Sequence, residues 1–82
     1  MSDPVEKLYH AAYFDDASET SFLLRNYPDI NVNWTDNEGW APLHMASFNG
    51  HIEVVKRLLA HADINVNLKS DDGQTPPFLL VV

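Results

Sequence analysis

Cysteine is absent from the 82 residues. That excludes disulfides, thiolate nucleophiles and finger-type zinc sites, and it leaves no covalent staple to reinforce a small core. Glycine is scarce, at three residues, and the longest apolar run, Phe78 to Val82, is far too short to span a bilayer. Basic residues are also few: five Lys and Arg stand against twelve Asp and Glu, a net charge of −7. Phosphate backbones and anionic membrane surfaces are held through such cations, so neither nucleic acid nor a membrane is an expected partner. The start, Met1-Ser2-Asp3-Pro4, is acidic and unlike a targeting signal, which makes a cytoplasmic or nuclear location the expectation. A chain of this length is one small domain with little room for a deep catalytic pocket.

An internal repeat is present. Asp29-Ile30-Asn31-Val32-Asn33 recurs letter for letter as Asp63-Ile64-Asn65-Val66-Asn67, and Gly39 recurs as Gly73 at the same spacing of 34 residues. Upstream the match runs at an offset of 35, pairing Leu8 with Leu43, Ala11 with Ala46, Tyr13 with Phe48 and Leu23-Leu24 with Leu58-Leu59. Such a period marks stacked supersecondary units that bury a shared core.

Each unit reads as a pair of helices. Pro42 to Asn49 opens with proline in its first turn and stops at Gly50; His51 to His61 follows, with Ile52, Val55, Leu58 and Leu59 on one face and a Glu53–Arg57 pair on the other. The first unit begins at Asp3-Pro4-Val5-Glu6, a capping sequence. Leu8, Ala11, Leu23, Leu24, Leu43, Ala46, Ile52, Val55, Leu58 and Leu59 make the predicted core. Asn33 to Gly39 and Asn67 to Gly73 are rich in turn formers and read as finger-like hairpins.

Motifs for chemistry fail on inspection. His10, His44, His51 and His61 have no metal-ligand spacing and read as structural; His44 is expected to be a buried hydrogen-bonding residue and His51 a helix-start residue. The repeated Asp-x-Asn-x-Asn superficially opens a calcium loop, but its sixth position is Trp34 or Leu68 and its twelfth is Trp40 or Gln74, so the glycine and the bidentate glutamate are both missing. Asn33-Trp34-Thr35 fits a glycosylation triplet with no secretory signal beside it. Neither a nucleophile elbow nor a phosphate loop occurs. The acidic pairs Asp15-Asp16 and Asp71-Asp72 fall in turns. No enzyme activity and no cofactor are expected.

Gly39-Trp40-Ala41-Pro42-Leu43-His44-Met45-Ala46, followed by Asn49-Gly50-His51-Ile52-Glu53-Val54-Val55-Lys56-Arg57-Leu58-Leu59, resembles the ankyrin repeat family pattern G-x-T-P-L-H-x-A and G-H-x-E-V-V-x-x-L-L. The resemblance implies an all-α solenoid of about two and a third repeats, with approximate units 3–35, 36–69 and a truncated 70–82 in a single domain spanning 1–82. Three departures stand out. Ala41 takes the threonine position, which predicts that His44 loses a partner. Pro77 and Phe78 replace Leu and His, which predicts a third helix that is short or absent. Finally, Phe78 to Val82 has no second helix to cover it. The expectation is that the chain is a fragment of a longer protein or that a partner covers that end; the isolated chain then self-associates, unless Pro77 turns the tail back over Leu58 and Leu59 as a makeshift cap.

The resemblance also implies a function, that of a protein-binding module whose concave face is formed by hairpin tips and the first helix of each pair. The matching positions are Tyr13, Phe14, Asn37, Glu38, Trp40, Phe48, Asn49, Asp71, Asp72 and Gln74. Four of these are aromatic and several acidic, the composition of hot-spot anchors within a charged rim. Tyr13 and Phe48 also have a packing reading, and Trp34 is expected to pack between turns beside Leu68. Eight acids against two cations in residues 1–41, and four against three in 42–82, would steer a basic partner segment to the N-terminal half. An acidic excess equally serves solubility. The alternative is an N-terminal targeting or regulatory segment of a larger multidomain protein, one with a catalytic domain included.

Overall fold

The computed structural model describes residues 3–75. Four helices follow one another: α1 (Pro4–Tyr13), α2 (Ala17–Asn26), α3 (Pro42–Phe48) and α4 (Ile52–Leu59), with no strand among the described residues. Pairs α1–α2 and α3–α4 are antiparallel hairpins of helices that stack, α1 against α3 and α2 against α4. The fold is the expected all-α helix-turn-helix repeat. The position of the third helix, predicted to be short or absent, and the apolar tail Phe78 to Val82 lie outside the described residues.

Local chemistry sets the helix boundaries. Asp3 caps α1 by accepting from the Val5 N–H at 3.0 Å, with Pro4 in the first turn, and Asp16 caps α2 by accepting from the Glu19 N–H at 3.0 Å. Pro42 opens α3 in the same way, while the imidazole of His44 reaches back to the Ala41 N–H at 3.1 Å and supplies the cap that the Ala41 side chain cannot. Left-handed residues end the inner helices: Gly50 at φ +69° follows α3, and Asp15 at φ +59° takes the equivalent place after α1.

The core runs between the two pairs. Leu8, Ala12, Leu23, Ile30, Val32, Leu43, Ala46, Val54, Val55 and Leu58 form one buried cluster, with Leu24, Leu59, Ile64 and Val66 packed on its edge. Two sequence expectations need correction. Ile52 is 44% exposed, because it opens α4 one residue after the turn at His51, and Val54 takes the buried position instead. Glu53 pairs with Lys56 at 3.6 Å rather than with Arg57, which reaches across to the Ser21 hydroxyl of α2.

The repeated Asp-Ile-Asn-Val-Asn segment is a two-part fastener. Its isoleucine and valine turn inward, Ile30 and Val32 fully and Ile64 and Val66 partly. Its asparagines bond to backbone: Asn31 accepts from the Asn33 N–H at 3.1 Å and Asn65 from the Asn67 N–H at 3.0 Å, both Asx turns. Asn33 spans the units, donating to the Asp63 carbonyl and accepting from the Asn65 N–H, each at 2.8 Å.

Candidate protein-binding face

The hairpin between the pairs is built around Asp36. Its backbone N–H donates to the Trp40 carbonyl at 2.9 Å, and one carboxylate oxygen accepts from the N–H groups of Glu38 at 2.9 Å and Trp40 at 3.0 Å. The other oxygen accepts from the Tyr9 hydroxyl of α1 at 2.8 Å. Burial alone would raise the Asp36 pKa, yet the bonds from Trp40, Tyr9 and Glu38 outweigh it and hold the carboxyl below its ordinary value. Tyr9 responds in the opposite sense: burial, the bond to Asp36 and the nearby negative charge of Asp36 and Glu38 push its phenol up to about 12.

The next hairpin uses the same scheme with different residues. Ser70 stands where Asp36 stood; its N–H donates to the Gln74 carbonyl at 2.8 Å and its hydroxyl accepts from the Gln74 N–H at 3.2 Å. The two hairpins are joined edge to edge by the Asp71 N–H donating to the Glu38 carbonyl at 2.9 Å. His44, fully buried, accepts at Nδ1 from Ala41 and is therefore protonated at Nε2, which bonds to the Gln74 carbonyl at 3.0 Å. Both ring nitrogens are thus satisfied, and the expected loss of a partner does not occur: the backbone supplies it.

Above this framework lies an aromatic row. Trp40 stacks at a tilt on Phe48, ring centroids 4.8 Å apart, and rests against His44 at 5.6 Å. Trp40 does not protrude from a tip; it closes the hairpin, is half-buried, and lies along α3. Phe48 ends α3 and is 44% exposed. Asn49 caps the helix and donates to the Met45 carbonyl at 2.7 Å. Asn37, Glu38, Asp71, Asp72 and Gln74 are all exposed on the paired hairpins beside this row.

Tyr13 and Phe14 form a second, separate pair at 4.9 Å, edge to face, at the end of α1. The Tyr13 ring is half exposed, while its carbonyl accepts from His51 Nε2 at 3.0 Å, tying α1 to the start of α4. Phe14, 72% exposed, lines a shallow groove with Lys7, His10, Asp16 and Glu19 that α1 and the start of α2 form alone. The structure therefore brings Trp40, Phe48 and the hairpin acids together and sets Phe14 on a different flank. Trp34 is half-buried and packs edge-on against Tyr9 at 5.4 Å, which gives it an aromatic partner on α1.

Sequence reasoning passed over Tyr9, Asp36 and Ser70. The signal was available: Asp36 and Ser70 each stand three residues before a repeated glycine, the place where a side-chain acceptor closes a turn. Among the described residues, no group of three or more His, Asp or Glu side chains is placed to hold a metal ion, and no helix is long and apolar enough to cross a membrane.

The sequence model of the family described as ankyrin repeats in three copies matches residues 6–79. This chain belongs to the ankyrin repeat family. It is 35% identical over 71 residues to SMC5-SMC6 complex localization factor protein 1 of Homo sapiens, covering 87% of this chain and 7% of that one. It is 44% identical over 64 residues to ankyrin repeat domain-containing protein 49 of Bos taurus, covering 77% and 26%. It is 43% identical over 56 residues to E3 ubiquitin-protein ligase MIB2 of Gallus gallus, covering 67% and 6%. The chain thus spans only a small part of the length of these relatives. Ankyrin repeats are general protein–protein interaction modules, and the repeat is itself a non-catalytic fold.

Proposed function

We propose that this chain, organised as units 3–35, 36–69 and 70–82 of one domain, binds a protein partner on the face formed by the paired hairpins and the inner helix α3. The observation that carries the reading is the Trp40–Phe48 stack, a half-buried indole on an exposed phenyl ring at 4.8 Å, on the side of the array that carries the exposed Glu38, Asp71 and Asp72. Aromatic anchors supply large contact area at low entropic cost, and the acids around them favour a partner segment carrying Lys or Arg. Asn37, Asn49 and Gln74 offer hydrogen bonds at the rim, and Tyr13, whose ring pairs with Phe14 apart from this stack, adds to the surface where the partner continues to the end of α1. Phe14 belongs to this surface only if the partner wraps past the end of α1. Trp40→Ala tests the reading: binding to a cognate partner should weaken by about 2 kcal/mol or more, with the helical fold retained. Unchanged affinity would refute it.

A second reading is favoured by the small share of each relative that the chain covers. In it, the same face targets or regulates a larger protein of which these repeats are a segment. Its partner surface would then be a domain of the same polypeptide, and Trp40→Ala would alter that intramolecular contact.

A further inference from the structure

The outer helices carry a feature of opposite character to the hairpin face. Between α2 and α4 lies an open groove of about 270 Å³ lined by Ser21, Leu24, Arg25, Arg57, Ala60 and His61. In a chain with five Lys and Arg and a charge of −7, two of the five face one groove that contains no carboxylate. Among the described residues neither arginine has an Asp or Glu within ion-pair distance; the two pairs present involve His51 with Asp15 and Lys56 with Glu53.

The polar groups there are mainly donors. Arg57 already donates to the Ser21 hydroxyl, which leaves the rest of its guanidinium fork and the serine O–H to bond elsewhere. His61 accepts from the Asp63 N–H at Nδ1, 3.1 Å, so its proton resides on Nε2. Two guanidinium forks, a hydroxyl and an imidazole N–H, drawn from α2, α4 and the bend after α4, outnumber what the two oxygens of one carboxylate can accept. A phosphate group, with three terminal oxygens and a charge of about −2, matches them better. Leu24 and Ala60 provide an apolar floor, which a bare anion does not use and a peptide does.

The geometry points to a phosphoserine- or phosphothreonine-bearing segment of a protein partner as the occupant of this groove, a site separate from the hairpin face. The phosphate bridges Arg25 of α2 and Arg57 of α4, so its binding also clamps the two repeats together. A partner with one basic and one phosphorylated segment would engage both faces of the array at once.

The test uses the 82-residue chain labelled with ¹⁵N and titrated, at fixed ionic strength, with a short blocked Gly-Ala-Leu-phosphoserine-Ala-Leu-Gly peptide. The controls are the unphosphorylated peptide and inorganic phosphate alone. The amide signals of α2 and α4 should move, with affinity for the phosphopeptide on the order of tenfold above either control. Arg25→Gln and Arg57→Gln should each lower that affinity on the order of tenfold, whereas Lys56→Gln, which removes an exposed cation outside the groove, should not. Both arginines are solvent-exposed, and unchanged far-ultraviolet circular dichroism identifies variants that keep the fold. Equal binding of the two peptides, equal loss in Lys56→Gln, or shifts confined to the hairpins would overturn the proposal. Inorganic phosphate binding as tightly as the phosphopeptide would overturn the peptide part of it.

Discussion

Tyr9 and His44 occupy equivalent places 35 residues apart, and each reaches forward from its inner helix to the hairpin of the following unit. Tyr9 donates to the Asp36 carboxylate at 2.8 Å and His44 bonds to the Gln74 carbonyl at 3.0 Å. The period therefore conserves a mechanical role while the chemistry differs: a phenol on a charged acceptor in one unit, a buried imidazole on a backbone acceptor in the next. Because the hairpins carry the proposed binding face, these two bonds set where that face sits relative to α1 and α3.

The Tyr9–Asp36 pair makes stability depend on pH at both extremes. Tyr9 is pushed up to about 12, so the folded state holds its proton where the unfolded chain, with an ordinary tyrosine near 10, loses it. That stabilisation is complete below about pH 10 and is lost as pH rises toward 12. Asp36 has a lowered pKa, so its contribution is present above the ordinary carboxylate range and is lost as pH falls through the folded value. Tyr9→Phe should cost about 1–2 kcal/mol at neutral pH and flatten the alkaline decline. Denaturant melts at pH 8, 10 and 11 check this; an equally steep alkaline decline in the variant would count against it.

Leu58 is fully buried in the contact between α4 and the rest of the core, and Asp71 is exposed on a hairpin. Leu58→Ala should cost about 2–5 kcal/mol, enough to unfold an array this small. Asp71→Ala keeps the backbone N–H that bonds to Glu38 and should change stability by less than about 0.5 kcal/mol. Urea melts of the two variants compare them directly, and similar midpoints would contradict the division between core and rim.

The fold was legible because its determinants are local and repeated. The Leu8/Leu43 and Leu23/Leu58 correspondences fixed the helix pairs, and the exact recurrence around Asn31 and Asn65 fixed the connecting segment. The core was less so. A helical stripe starting at Ile52 looks continuous in sequence, but Ile52 is the first residue of α4 after its N-cap His51 and stays exposed, while Val54 is fully buried. The candidate site residues were chosen by resemblance and composition, and their arrangement was not legible. Trp40, Phe48 and the hairpin acids come together, but Phe14 sits on another flank, since the residue after α1 points away from the neighbouring pair. The place of Asp36 three residues before Gly39 marks it as a turn-closing acceptor, but its bond from Tyr9, 27 residues earlier, is contained in no spacing rule.

Asp15 holds the left-handed place that Gly50 holds one unit later, at φ +59° against +69°. A side chain there costs about 1–2 kcal/mol relative to glycine. The compensating contact is weak: Asp15 approaches His51 at 3.8 Å with more than half of its side chain in water. Asp15→Gly should therefore stabilise the chain by about 0.5–1 kcal/mol despite removing the contact with His51. A lowered thermal midpoint would show that the His51 contact outweighs the backbone strain.

Gly39 and Gly50 share positive φ, yet their surroundings differ. A Cβ at Gly50 would meet nothing within 4 Å, so Gly50→Ala should cost only the backbone penalty, about 1–2 kcal/mol. At Gly39 the same atom would lie 2.8 Å from the Asp71 backbone nitrogen and 3.1 Å from the Ser70 Cα. Backbone cannot move aside as a side chain can, so the second hairpin must be pushed off the first and the Asp71–Glu38 bond stretched or broken. Gly39→Ala should thus be the more destabilising of the two by about 1 kcal/mol or more. It should also speed hydrogen exchange at the Asp71 amide, while Gly50→Ala leaves that amide's protection, relative to global stability, unchanged. Equal midpoints together with an unaltered Asp71 amide would mean that the hairpins are not in the close contact described.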